Sequence, residues 1–569
     1  MAGNDKPQVD WEALAGLRFL LVCYVMFMHF GSNESWGAFA NLRQFPWHVH
    51  TFFSLVGFSL AATMPSAIKT KLFISARISG MYPLYVFALI LALGNLLVSC
   101  NPSTFSSVFS WISLPSGDGQ MFCQGTPLVQ DSWLANVLLT VGIHLTGLQA
   151  TPLWGASWFL GFYLWFISMY FQCIIIFPFV YNSLYKYRVQ KKRLLLLTIL
   201  VLVINALIVL AFWYGYVIDV NGYGFFDRIT GESTTPSPLQ VELAGKENLV
   251  ILGFYLFAPF WMVYFIAGMC AAFLYAAIHP TEQLRSQVWG YVADTITVIM
   301  VIVSVAHVAQ GFYPHDLSVT EVVLDPFFMR PEAANSYADP STVNRAWDNI
   351  YGRLFAPITL LWIFALSTGK GLTAKALRFS PLSQTLSLTT YSCFLFHQMI
   401  GQWYYAATRQ GEWWSWWSHQ KDFYWFSPQP VPVEWYEYFY LVALVVLFSK
   451  IVQPFEPVIR SIFSFFINVL KQLRRDSLVL NTEKNTTREI LLIIQSITGM
   501  EVKPEWTLGE CGLASLGIVQ FTNTLVNTFS TPKYKIKLSM PDIMFAHNIH
   551  EIASIVDNQI DASTRELCR

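Results

Sequence analysis

Apolar residues in this chain fall into long blocks separated by polar stretches. A helix that crosses a bilayer needs roughly 20 mostly apolar residues. Ten blocks suit that purpose, near 12–30, 49–66, 78–99, 154–180, 193–217, 248–276, 288–309, 350–368, 385–407 and 434–453. Segment 133–149 is apolar but shorter, and it holds His144. After residue 455 the pattern changes to short helical runs with no strand alternation. They predict helices over 488–498, from about 512 to 529, from Pro541, and over 549–560. The expected fold is all-α. A membrane bundle of about ten transmembrane helices fills 1–455, an amphipathic, charged linker 456–486, and a small soluble four-helix bundle 487–569.

Composition agrees with that division. Hydrophobic residues make up 54% and charged residues 12%, half the usual charged share of a soluble chain. Disorder, a coiled coil and an ordinary cytosolic enzyme are excluded. Lys plus Arg is 35 and Asp plus Glu is 35, so no basic excess exists to neutralise nucleic-acid phosphates. The charge is uneven. Residues 456–569 carry 12 basic and 12 acidic residues in 114, and the other 455 carry 46.

Basic clusters decide the threading. They stand at Lys69, Lys71 and Arg77; at Lys186 to Arg193; at Lys370, Lys375 and Arg378; and at Arg474 and Arg475. All four share one side if 133–149 is a re-entrant or surface helix. That arrangement predicts ten spans with both termini cytoplasmic. The Trp-rich loop from Trp413 to Trp425 reads as an interfacial belt, or more sharply as a lid over a lipid or sugar. No cleavable signal peptide precedes the first span. Asn33-Glu34-Ser35 is a glycosylation triplet on the outer side. Cys100 and Cys123 share an outer loop, as a disulfide or as two thiols. No spacing of His and Cys suggests a metal. No phosphate-binding glycine loop opens a helix.

Ionisable residues inside spans are costly and mark function by default. Arg18 and His29 lie 11 residues apart on the first span. Their offset is about 20°, so they share a face, separated by about 16 Å. Arg18 could serve a cytoplasmic donor and His29 could act as general base on a membrane-buried acceptor. Equally, Arg18 snorkels to the interface and His29 packs. His397 is either a second site residue or a helix-to-helix hydrogen bond. Asp294, His307 and Arg353 lie nearer the ends of their spans.

Several of these residues sit in recognisable segments. Ala15-Gly16-Leu17-Arg18, followed ten residues later by His29-Phe30, resembles the Arg-x10-His signature of the acyltransferase-3 family of integral membrane acyltransferases. Phe52 to Leu60 is similar to that family's "FFxLSGFL" helix. Arg77 to Tyr85 is similar to its "RxxRIxPxY" segment, Trp158-Phe159-Leu160 to its "W[SF]L" segment, and Ser392 to His397 to its "SYxLYLxH" helix. The five segments run in the family's order over about 12–453. The resemblance implies ten core helices, His29 as the base acting on an acceptor hydroxyl, Arg18 assisting, and Arg77 meeting an acyl-CoA donor. Two positions depart from the pattern. Gly80 replaces the second arginine of "RxxR", and Tyr163 stands where a glutamate is frequent.

Residues 487–560 resemble an acyl carrier protein, whose "GxDSL" motif opens its second helix. Gly512-Leu513-Ala514-Ser515-Leu516 occupies that place. The resemblance implies 4′-phosphopantetheine on Ser515, so that the donor at the membrane site is an acyl-carrier thioester or acyl-CoA. Here too the pattern departs: Ala514 replaces the usual Asp, and residues 515–530 contain no acid. The implied partners are membrane lipids, an acyl donor, a hydroxyl acceptor and a protein docking on the tail. The competing reading is a non-catalytic scaffold that keeps the fold and docks through its tail.

Overall fold

The computed structural model describes residues 9–30, 47–64, 68–100, 133–149, 164–220, 258–278, 287–312, 352–408, 434–462, 485–498, 502–508, 511, 515–529, 538, 543, 546 and 548–567. The Asn33 triplet, the Cys100–Cys123 pairing, the Trp158 segment, Tyr163, the side chain of His307, the Trp413–Trp425 loop and the helix expected from Pro541 fall outside that description.

Every regular element among the described residues is a helix. In chain order they are α1 (Trp11–Phe30), α2 (Trp47–Thr63), α3 (Thr70–Cys100), α4 (Trp133–Thr146), α5 (Trp165–Tyr185), α6 (Lys191–Val220), α7 (Ala258–Ile278), α8 (Val288–Phe312), α9 (Ala356–Leu366) and α10 (Gly371–Leu377). A π-helix (Pro381–Leu386) and a 3-10 turn (Ser387–Thr389) lead into α11 (Thr390–Thr408), followed by α12 (Trp435–Val452) and a 3-10 turn at Gln453–Phe455. The tail contributes α13 (Asn485–Thr498), α14 (Ser515–Phe529) and α15 (Ile549–Leu567).

Each of the ten apolar blocks contains one helix. Seven of them, α1, α3, α5, α6, α7, α8 and α12, are long and apolar enough to cross a membrane. The other three are short or polar: α2 has 17 residues, α9 has 11, and α11 carries Ser392, His397 and Gln398 within its 19. Helix α4 has 14 residues. At 1.5 Å per residue it spans about 21 Å, less than the roughly 30 Å hydrocarbon core.

The outer helices show why the bundle needs lipid. Helix α6 exposes Leu195, Leu196, Ile199, Leu200, Val203 and Leu207, and α8 exposes Val298, Val301, Ile302 and Val305. Such continuous apolar faces are unfavourable in water. The interior works by close approach instead. Helices α2 and α7 make the most extensive pairing among the described residues. A Cβ on Gly57 would collide with the Phe265 carbonyl, and one on Gly268 with the Ser54 carbonyl. Two missing side chains thus let the backbones touch, the means by which membrane helices associate where apolar burial gives no net drive.

One end of α1 is anchored by a polar node. The Asp10 N–H donates to the Ser367 carbonyl at 2.8 Å. The Asp10 carboxylate accepts the Ala13 N–H at 3.0 Å, which caps α1, and pairs with Arg378 at 3.0 Å. Burial pushes this carboxyl above the usual range, while the Ala13 N–H and the Arg378 guanidinium pull it down. Gly16 carries α1 directly against Leu377, whose carbonyl a Cβ would overlap. Asp294 caps α10 through the N–H groups of Leu372 and Thr373, at 2.9 and 2.7 Å. That is a structural role, and Arg353 has a packing role too, stacked over Trp261 at 4.3 Å.

In the tail, α13 packs on α14 and α15. Ile490, Ile494, Phe521, Leu525, Ile552 and Val556 are buried there. Helix α13 also rests on α3, and α14 rests on α2 and on residues 387–389.

Candidate functional site

The site starts where α1 meets α11. Gly401 has no side chain, and the Phe30 ring occupies the space that one would fill. This draws the last turn of α1 onto the middle of α11. His29 and His397 come together there, 368 positions apart in the sequence. Their ring planes lie within 11° of each other, edge to edge with centroids 4.8 Å apart, and His29 Nδ1 stands 2.5 Å from His397 Nε2. His397 is fully buried and His29 half-buried.

Hydrogen-bond chemistry orients the pair. His397 Nδ1 lies 2.7 Å from the Phe394 carbonyl oxygen. A carbonyl only accepts, so His397 Nδ1 carries the proton. In the neutral pair His397 Nε2 is then the acceptor, and His29 Nδ1–H donates to it. The lone pair of His29 therefore sits on Nε2, the nitrogen turned away from His397. The arrangement is a relay, Phe394 C=O···H–Nδ1 His397 Nε2···H–Nδ1 His29, and it steadies a positive charge arriving at His29 Nε2.

Arg18 stands three turns from His29 on α1, about 16 Å along the axis. Its Nη2 donates to Ser59 at 3.4 Å. Arg77 is buried, with its guanidinium over the Phe73 ring at 5.3 Å. Tyr170 on α5 lies in the field of both arginines. Tyr391, at the start of α11, donates to the Met81 carbonyl at 3.1 Å and lies in the field of Tyr170 and Arg460. Next to Tyr391, Ser392 reaches Glu456 at 3.4 Å, and Glu456 pairs with Arg460 at 3.3 Å.

The structure thus brings His29 to His397, while Arg18 and Arg77 both act on Tyr170 through their charge. Ser515 is the first residue of α14. Sequence reasoning missed Ser59, Tyr170, Tyr391, Glu456 and Arg460. Ser59 belongs to the "FFxLSGFL" segment and Tyr391 directly precedes the "SYxLYLxH" segment, so a signal existed for those two. Two further buried histidines were also not foreseen. His48 stacks near Tyr24 at 4.7 Å and His50 near Tyr264 at 5.3 Å. Among the described residues, no group of His, Cys, Asp or Glu is arranged to hold a metal.

Residues 11–449 match a family model described as an acyltransferase domain. No curated protein and no solved structure matches the chain.

Proposed function

The chain belongs to the acyltransferase-3 family of membrane acyltransferases, and from that premise we propose that it moves an acyl group from a thioester to a hydroxyl of a lipid, sugar or small-molecule acceptor. The observation that carries this is the His29–His397 pair, with its lone pair fixed on His29 Nε2.

In the proposed reaction His29 Nε2 takes the proton of the acceptor hydroxyl. The oxygen attacks the thioester carbonyl carbon, and the C–S bond breaks. The departing sulfur collects the proton from His29, leaving an ester and a thiol. His397 orients the ring and shares the transient charge, as the third group does in other base-assisted acyl transfers. Arg18 assists from the donor side. A base of this kind contributes about 10²–10⁴ in rate.

The donor enters from the face that carries Lys69, Lys186 and Lys375, which we read as cytoplasmic. The tail is read as an acyl-carrier-like module, with 4′-phosphopantetheine on Ser515 delivering the thioester. The packing of α14 against α2 and residues 387–389 favours that reading. A tethered donor reaches effective concentrations of about millimolar. Free acyl-CoA is the alternative source.

The test uses the full chain in vesicles, supplied with radiolabelled acyl-CoA and a membrane extract as acceptor. The expected result is a hydroxylamine-labile ester that disappears in His29→Ala, while the variant keeps its melting temperature. Ester formed at the wild-type rate by His29→Ala would remove His29 from the role. Wild-type protein that forms no ester from either donor source would favour the scaffold reading.

A further inference from the structure

Helix α6 is apolar from Leu194 to Phe212 except at Thr198 and Asn205. Thr198 is satisfied locally, its hydroxyl donating to the Leu194 carbonyl at 2.8 Å. The Asn205 amide oxygen is buried and meets no hydrogen-bond partner among the described residues. An amide left so inside a span is costly. Helix α6 packs along α7, where Asn205 lies beside the Tyr264 hydroxyl. Helix α2 brings Ser54 and, one turn earlier, His50 to the same tyrosine. Ser54 donates to the Tyr264 carbonyl at 3.3 Å, and the His50 ring stands 5.3 Å from the Tyr264 ring.

These side chains are shut off from solvent: His50 is 1%, Tyr264 0% and Asn205 4% exposed. Yet His50 Nε2, Tyr264 Oη and Asn205 Oδ1 all lack a hydrogen-bond partner among the described residues. Buried polar atoms are nearly always bonded, so three together, from three helices, mark a place for a ligand atom. That place is not the acyl-transfer pair. His50 meets α7, whereas His29 meets α11.

The bonding capacities of the three atoms define the ligand. Asn205 Oδ1 only accepts, the Tyr264 hydroxyl can donate, and His50 Nε2 does either. A phosphate or carboxylate only accepts and would leave Asn205 unmet. An ammonium would stand against the Arg353 guanidinium, which lies over Trp261 at 4.3 Å and beside Tyr264. One hydroxyl meets all three, donating to Asn205 Oδ1 and accepting from Tyr264 Oη–H and His50 Nε2–H. The surroundings are aromatic: Trp261 is 6.1 Å from Tyr264, and Phe53 is 5.2 Å from Trp261. A sugar there would leave its other hydroxyls unpaired. A single hydroxyl on an apolar body would not.

We propose that His50, Tyr264 and Asn205 bind the hydroxyl of a lipid alcohol, at a site separate from the His29–His397 pair.

The experiment uses the full chain in phosphatidylcholine vesicles, labelled by a tritiated hexadecanol that carries a diazirine, with the labelled peptides mapped. Label is expected on α2, α6 or α7. Excess hexadecanol should displace it, and hexadecyl methyl ether, which cannot donate, should compete about tenfold less well. Tyr264→Phe and Asn205→Leu each remove one polar atom and should each lower the affinity for the label about tenfold. Displacement by cholesterol as well assigns the site to ring alcohols too, and displacement by hexadecanol alone assigns it to chain alcohols. Equal competition by the ether, or unchanged affinity in both folded variants, overturns the site. If neither variant folds, the comparison of alcohol with ether on the wild type decides. Label confined to α1 and α11, or no displaceable label at all, also overturns it and leaves the three atoms to ordered water only.

Discussion

A histidine in a membrane helix is ambiguous until its second nitrogen is accounted for. His29 carries its lone pair on Nε2 because His397 accepts from Nδ1, and His397 accepts because its own Nδ1–H is spent on Phe394. The two histidines should therefore differ in what their loss does. In the proposed reaction His29→Ala removes the base. His397→Gln keeps a side-chain polar group but loses the relay, and should lower kcat by about 10²–10³ with little change in acceptor KM. Equal effects on kcat and KM would instead mean that His397 binds the acceptor. The sequence already placed His29 and Arg18 on one helix face by their spacing. It left His397 open between a site role and an interhelical bond; the structure shows the bond, and the site role belongs to the proposed reaction.

At the element scale, glycines decide which helices touch. Gly57 and Gly268 are pressed against carbonyl groups, whereas no atom of the described residues lies within 4 Å of a Cβ on Gly80. Gly268→Ala should lower stability by about 1–3 kcal/mol through overpacking at the α2–α7 crossing. Gly80→Ala should leave stability unchanged or raise it by up to about 1 kcal/mol, since alanine is the better helix former. Thermal unfolding of the two variants in one detergent makes the comparison, and an equal loss in both would contradict the packing described. The apolar blocks foretold where helices form, because burial in lipid depends on local composition. They did not foretell that α2, α9 and α11 are shorter or more polar than a full crossing. Those three are sheltered by neighbours or carry the site, so lipid exposure does not dictate their composition.

At the scale of the whole molecule, the tail is part of the machine in the proposed reading. Its α13 and α14 rest on α3, α2 and residues 387–389. Intact-mass measurement of the purified protein should show about one phosphopantetheine addition that vanishes in Ser515→Ala, and that variant should depend wholly on added acyl-CoA. A tail without the addition, in a protein that still transfers acyl groups, would return the donor role to free acyl-CoA. The sequence by itself determined the helical class, the split between a charge-poor bundle and a charge-rich tail, and the face shared by Arg18 and His29. These follow from hydrophobic period and local charge, which any stretch of chain reports alone. Only the tertiary structure decided that His29 pairs with His397, that Tyr391 bonds to the Met81 carbonyl, and that Glu456 reaches Ser392. Those contacts join residues tens to hundreds of positions apart, and their geometry depends on glycine crossings that leave no periodic trace.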